Sequence, residues 1–244
     1  MTGSRLALAG FFIRRTTTAA VTRYLHAKLR RRQRAIVLFA NANFALQCKD
    51  MRCEIARSSD IIVLNDGIAV DIAAKIFAGA RFQENLNGTD FTPAFLSTLD
   101  PDTRVFLFGA RPEVVEQAGQ AVRCLFPIEV CGTQDGYFVW EDEPGLIQRI
   151  NAAKPDVLLV GMGNPLQERW ILRSRAALEV PVILAVGAYF DFVSGNVPRA
   201  PRVVRHLRLE WAYRLFKEPR RLIGRYSIGI IRFFMMALFD RYPR

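Results

Sequence analysis

Histidine and cysteine are scarce in this chain of 244 residues, which has two of the first and four of the second. No two cysteines stand in a Cys-x-x-Cys spacing, and His26 and His206 lie apart from them. Structural zinc needs closely spaced Cys and His ligands, so no zinc pattern is present. Cys48, Cys53, Cys124 and Cys131 read as buried thiols of a reducing compartment. No Asp-x-Asp pair or Cys/His cluster closes a predicted strand, and there is no internal repeat or low-complexity tract. Long apolar runs are missing too: nothing reaches the ~20 apolar residues of a spanning helix. The run Leu6–Ile13 is short, meets Arg14 and Arg15 at once, and precedes no small-residue cleavage site. It does not read as a secretory signal, while an anchoring role stays open.

What is abundant is apolar residues, 51% of the chain, enough for the core of one α/β domain with or without an appendage. Charge is abundant as well, and unevenly placed. Residues 1–34 hold nine Arg/Lys and no acid; residues 35–198 hold 13 basic and 20 acidic residues; residues 199–244 hold 12 basic and 3 acidic ones. An acidic body between two basic ends, within a net charge of +11, suggests ends that meet phospholipid, nucleic acid or a pyrophosphate, or simply a solvated basic face. The chain therefore divides into a basic N-terminal segment (1–34), an α/β catalytic domain (35–198) and a basic, amphipathic helical appendage (199–244).

Short β-branched runs alternate with helical patterns in the middle part. Ala35–Phe39, Ile61–Leu64, Val105–Phe108, Val157–Val160 and Val182–Val186 read as buried strands, each ending near Gly, Asn or Asp. Ile68–Phe77, Pro93–Leu99, Pro112–Leu125 and Leu166–Leu178 read as helices, with Thr92 as N-cap before Pro93. This alternation predicts a Rossmann-like, largely parallel sheet flanked by helices, with ligands outside the carboxyl ends of the strands.

The strand-end loops carry the chemistry. Asp66 follows the Ile61–Leu64 run and is placed either to take a proton from an attacking hydroxyl or merely to cap the next helix. Gly161-Met162-Gly163-Asn164-Pro165-Leu166-Gln167-Glu168 follows another strand and opens a helix. Backbone at Gly163 and the helix start suits a pyrophosphate, and Gln167 offers a donor and an acceptor; a plain tight turn is the alternative. Asp191, between aromatics, is either a sugar or ribose contact or a carboxylate paired with an arginine. Thr89 and Asp90, and Gly136 and Tyr137, sit in two further loops that either supply polar groups to the same mouth or are ordinary turns.

Taken in order, the blocks Asn65-Asp66-Gly67, Gly88-Thr89-Asp90, Asp135-Gly136-Tyr137-Phe138, Gly163-Asn164-Pro165-Leu166-Gln167-Glu168, Val186-Gly187 through Phe190-Asp191-Phe192, Arg199-Ala200-Pro201, Leu209-Glu210-Trp211, Tyr213-Arg214-Leu215 and Glu218-Pro219-Arg220-Arg221 resemble the WecG/TagA/CpsF family, glycosyltransferase family twenty-six. The likeness runs from about Ala35 to Tyr226. It implies inverting transfer of a sugar from a UDP donor to a polyprenyl-diphosphate-linked saccharide, with Asp66 as catalytic base. It also implies a C-terminal appendage that folds Arg214, Arg221 and Arg225 over the site. The family's Thr-x-Asn at the first strand end is Phe39-Ala40-Asn41 here, which keeps Asn41 as a substrate contact and loses the threonine. The resemblance further implies no cofactor beyond the UDP-sugar, no metal, with arginine forks stabilising the departing phosphates, and residence at the cytoplasmic face of the bacterial inner membrane.

Two other classes compete. A nucleic-acid-binding protein would use the basic ends with Trp211 and Tyr213, yet would leave the strand-end loops without a role. A non-catalytic nucleotide-sugar-binding protein would use the same fold, since fold does not fix function. Within the enzyme reading, Leu222–Phe239 is expected to lie in the bilayer interface or pack on the core. On the first alternative, deleting residues 222–244 leaves a folded body.

Overall fold

The computed structural model describes residues 3–201, 210–217, 224 and 227–240. Eight strands form one sheet: β1 (Arg5–Leu8), β2 (Phe11–Arg14), β3 (Ala35–Ala40), β4 (Ile61–Asn65), β5 (Arg104–Gly109), β6 (Glu129–Gln134), β7 (Val157–Gly161) and β8 (Val182–Ala185). Their order is β1-β2-β4-β3-β8-β7-β5-β6, antiparallel between β1 and β2 and parallel everywhere else. The five strands expected from their β-branched runs are present as the central strands. Fully buried on both faces, they need apolar residues at every position, which is why they read as continuous runs.

The first 34 residues do more than carry charge. β1 and β2 form a hairpin whose turn, Ala9-Gly10, has positive φ at both residues (49° and 78°), the twist a two-residue connection requires. β2 then pairs in parallel with β4 through Ile13 and Arg14. Leu8, Phe11 and Ile13 are buried in the core, so the apolar run Leu6–Ile13 is largely consumed by packing. The hairpin was hidden in the sequence because each strand is only four residues long and arginines bound it. The edge strand β6 was hidden for another reason: Val130 is its one fully buried residue.

Helices cover both faces. On one lie α2 (Ala42–Gln47), α3 (Arg52–Arg57), α4 (Ile68–Ala78), α7 (Glu143–Ala152) and α8 (Leu166–Ser174), sharing a core with Phe44, Val70, Leu146 and Trp170. On the other lie α1 (Thr18–Arg30), α5 (Gly88–Leu96), α6 (Pro112–Leu125) and α9 (Tyr189–Val193), around Leu25, Phe95, Val115 and Phe190. α6 has the predicted bounds, and α8 stops four residues before the expected Leu178. α5 corrects the reading at Pro93. Asn87, not Thr92, is the N-cap, accepting from Asp90 N at 2.9 Å, and Pro93 lies inside the helix. Burial of Phe91, Phe95 and Leu96 on one face outweighs the loss of one backbone donor at the proline.

In the C-terminal part, α10 (Glu210–Lys217) is followed by α11 (Ile228–Phe239). α11 packs on α2 and α4. Phe233, 1% exposed, and Ala237 enter the core, Phe234 meets Phe77 edge to face at 6.0 Å, and Arg52 pairs with Asp240 at 3.2 Å. The opposite side of α11 exposes Ile228, Ile231, Met235, Leu238 and Phe239, and α4, on which α11 packs, exposes Ile72 and Ile76. Among the described residues, no helix is long and apolar enough to cross a membrane.

Candidate active site

β3 and β7 send the chain to one face of the sheet, into α2 and α8, while β8 between them sends it to the other, into α9. Such a reversal opens a crevice at the carboxyl ends of these strands. The loops around it are lashed together by backbone bonds: Asp66 N to Ala40 O (2.9 Å), Val186 N to Val160 O (2.8 Å), Ala110 N to Gly161 O (2.9 Å) and Gly136 N to Ala110 O (2.9 Å).

Asp66 and Asn41 meet here. Asn41 is the N-cap of α2, its Oδ1 accepting from Phe44 N at 2.9 Å, so its Nδ2 is turned the other way and donates to Asp66 Oδ2 at 2.9 Å. The N-cap of α4 is Gly67, with no side-chain cap bond, so Asp66 is not the capping residue. Its loop is held from below. Asn65, fully buried, donates to Asp71 Oδ1 (3.0 Å) and Glu84 O (2.9 Å), and Asn85 Oδ1 accepts from Gly67 N (3.0 Å). Gly67 has φ 88°, a conformation that glycine adopts freely and that lets the chain turn from strand to helix directly after Asp66.

The Gly163–Gln167 loop is built differently from the expectation. Gln167 is 2% exposed. Its Oε1 accepts from Gly163 N and Gly187 N, both at 3.2 Å, and its Nε2 donates to Glu168 Oε1 at 2.7 Å. The amide thus ties the β7 loop to the β8 loop, and Gly163 N–H is spent on it. Pro165, at the N-cap of α8, has no N–H to offer. Asn164 in the same loop is half-buried; its Nδ2 donates to Glu168 Oε1 (2.7 Å), and its Oδ1 accepts from Asn43 Nδ2, in the first turn of α2, at 3.5 Å.

Thr89 and Asp90 open α5, beside the end of β3: a Cβ on Gly88 would lie 3.1 Å from the Phe39 ring. Phe39, where the resembling family has threonine, is buried against Phe91. Asp90 accepts from Asn87 Nδ2 (2.8 Å) and pairs with Arg199 at 2.5 Å, and Arg199 also lies over the Phe192 ring. Asp191 is half-buried in α9, its carbonyl accepting from Val197 N. Gly136 packs on Gly109 and Met162, and Tyr137 is exposed. They follow the edge strand β6, but their loop folds back toward β7: Gly136 N donates to Ala110 O, and a Cβ on Gly136 would lie 3.0 Å from the Met162 side chain. The side chain of Arg214 and all of Arg221 and Arg225 lie outside the described residues.

No group of His, Cys, Asp or Glu that could hold a metal ion occurs among the described residues. One Asp-x-Asp stretch exists, Asp100-Pro101-Asp102, but it is exposed in the turn before β5, at the end of the sheet opposite the crevice.

Sequence reasoning placed Asn164, Glu168 and Arg199 in family-like blocks without giving them a role, and it missed Asn43. Glu168 is fully buried, and burial pushes its carboxyl above the usual carboxylate range while the bonds from Gln167 and Asn164 pull it back. A signal was available: Glu168 precedes Trp170, Ile171 and Leu172 on a helix whose other face is charged. The Cys48 thiol, 3.8 Å from Glu168 Oε2, is pushed up by burial and by that carboxylate.

The raised carboxyl has a consequence for stability. Between ~4.3, the ordinary glutamate value, and its own higher value, Glu168 stays protonated in the folded chain and ionises in the unfolded one. Stability therefore falls as pH rises through that interval. Glu168→Gln is expected to melt above the wild type at pH 7–8, with the gap closing as pH falls toward about 4. Thermal melts of both proteins across that range check it, and a gap independent of pH refutes it.

The family model of the Glycosyl transferase WecG/TagA/CpsF family matches residues 6–244. A relative from Bacillus spizizenii, named N-acetylglucosaminyldiphosphoundecaprenol N-acetyl-beta-D-mannosaminyltransferase, is 34% identical over 190 residues, covering 77% of this chain and 73% of its own. With a family match over nearly its whole length and a relative of 34% identity, the chain belongs to the WecG/TagA/CpsF glycosyltransferase family.

Proposed function

We propose that this glycosyltransferase moves a hexose-type sugar from a UDP donor to a polyprenyl-diphosphate-linked saccharide, in the synthesis of an envelope polysaccharide or exopolysaccharide. N-acetylmannosamine is the favoured sugar over its uronic acid and glucose, on the strength of the name of the Bacillus relative. The observation that carries the mechanism is the Asp66 carboxylate at the topological switch, held by Asn41 and not used as a cap. There it accepts the proton of the acceptor hydroxyl as the oxygen attacks the anomeric carbon from the face opposite UDP, and the sugar inverts. Negative charge grows on the departing diphosphate and is met by arginines of the 199–244 segment, the role the family likeness gives Arg214, Arg221 and Arg225. Arg199, brought to the crevice by its pair with Asp90, adds positive charge beside that path.

The test is a transfer screen with radiolabelled UDP-sugars against membranes holding lipid-linked intermediates. UDP-N-acetylmannosamine is expected to label the lipid fraction; a chain that labels nothing with any UDP-sugar does not have this activity. Because arginines replace a metal in this mechanism, exhaustive EDTA treatment is expected to change turnover less than about twofold. A tenfold loss restored by magnesium or manganese, measured in the same assay, refutes the arginine argument.

The acceptor's lipid places the reaction at a membrane surface, and we assign the contact to the exposed side of α11 with Ile72 and Ile76 of α4. Seven large apolar side chains together form a patch of the kind that marks an interaction surface, and Arg232 and Lys75 on the same helices are exposed to meet anionic headgroups. The enzyme is accordingly peripheral, at the cytoplasmic face of the inner membrane.

A further inference from the structure

Glu168 is a carboxylate that stability alone would discard. It is fully buried, and among the described residues it forms no ion pair. A buried acid without a cation costs more than a neutral side chain of the same shape. Its geometry has a clear effect on its neighbours. Oε1 accepts from both Asn164 Nδ2 and Gln167 Nε2, each at 2.7 Å, while Oε2 lies 3.8 Å from the Cys48 thiol. The proton, when present, therefore sits on Oε2, and Oε1 accepts in either protonation state.

An acceptor on the buried side of two amides turns both carbonyl oxygens the other way. For Gln167 the result is internal, since Oε1 closes onto Gly163 N and Gly187 N. For Asn164 the result is at the crevice. The residue is half-buried, and its Oδ1 lies 3.5 Å from Asn43 Nδ2, the limit of a useful bond. Asn43 lies two residues along from Asn41, which holds Asp66. A flipped Asn164 would set its Nδ2 against the Nδ2 of Asn43, donor against donor, and would also lose Glu168.

We propose that Glu168 is a positioning residue that fixes Asn164 with its carbonyl oxygen turned into the crevice, where that oxygen accepts a hydrogen bond from a hydroxyl or amide N–H of a sugar substrate. This rests on the transferase reading above and deepens it. Asn164 contacts substrate; Glu168 acts only through Asn164.

The experiment compares the wild type with Asn164→Ala, Glu168→Met and Glu168→Gln. Methionine keeps the volume and removes the acceptor; glutamine keeps one acceptor oxygen for both amides. Transfer kinetics are measured with UDP-N-acetylmannosamine and a lipid-linked acceptor, thermal melts accompany them, and the Asn164 side-chain amide is followed by nitrogen-15 NMR, assigned by its loss in Asn164→Ala. Losing one hydrogen bond to substrate is expected to raise the KM for one substrate about tenfold, with kcat within about threefold. Asn164→Ala shows this while melting like the wild type, Glu168→Met repeats it and shifts the Asn164 amide signals toward those of a free amide, and Glu168→Gln restores both. An unchanged KM for both substrates in folded Asn164→Ala overturns the proposal, whether or not Glu168→Met folds. So does an Asn164 amide unmoved in Glu168→Met, or a Glu168→Gln as impaired as Glu168→Met. A wild type that transfers no sugar refutes the proposed function instead, and the NMR comparison still reports whether Glu168 orients Asn164.

Discussion

Asp66→Asn is expected to lose transfer by a factor of ~10²–10⁴, the range for removing a general base, while its affinity for UDP stays within a few-fold of the wild type. Asparagine keeps the shape and can still accept from Asn41 Nδ2, so the 2.9 Å contact that orients residue 66 survives. The α4 N-terminus is undisturbed because Gly67, not Asp66, occupies its cap. The substitution removes the negative charge and with it the ability to take up a proton. Turnover at saturating acceptor, set beside calorimetric titration with UDP, checks this. Near-normal turnover in the variant would leave Asp66 with a purely structural role and remove the mechanism.

The second large effect concerns α11. Phe233→Ala is expected to cost ~3–5 kcal/mol of stability, as for other fully buried phenylalanines, because the ring lies in the same core as Phe44 and Trp170. Deleting residues 222–244 removes Phe233, Met236 and Ala237 together and is expected to leave an incompletely folded chain, contrary to the expectation from hydropathy alone. The two alternatives for this helix, packing on the core and lying in the bilayer interface, belong to its two sides. Ile231→Glu with Phe239→Glu is therefore expected to leave the melting temperature within a few degrees of the wild type, Phe239 being 67% exposed, while binding to phosphatidylglycerol vesicles drops at least several-fold. Co-sedimentation beside circular dichroism decides it. Full sedimentation of the folded double variant refutes the membrane contact.

Much of this architecture was legible from local pattern. Central parallel strands are apolar throughout, so Ala35–Ala40 and Val157–Gly161 announced themselves, and the strand-end rule then led to Asn41 and Asp66. What stayed illegible depended on partners distant in sequence. Gln167 looked like a free ligand for substrate because its neighbours are glycines. Only the fold shows that Gly187, twenty residues on, takes up its oxygen. Glu168 had no assigned role in the sequence, because its burial depends on α2 bringing Cys48 against it. Asp90 looked free for substrate, and Arg199, 109 residues later, occupies it. Tyr137 follows the edge strand β6, and sequence order conceals that its loop folds back over Gly109 and Met162 at the ends of β5 and β7.

The docking of α11 on α2 also sets the order in which the chain can mature during synthesis. The face of α2 that receives Phe233 is complete by Gln47, whereas α11 begins at Ile228. At ~5–20 residues per second, a ribosome takes roughly 10–40 s to make the intervening stretch. Throughout that time the side of α2 on which α11 docks lacks that cover, and among the described residues no earlier helix buries Phe233's place in the core. A chaperone at the tunnel exit has a defined surface to shield, and a premature stop anywhere before residue 228 yields a product with that side permanently uncovered.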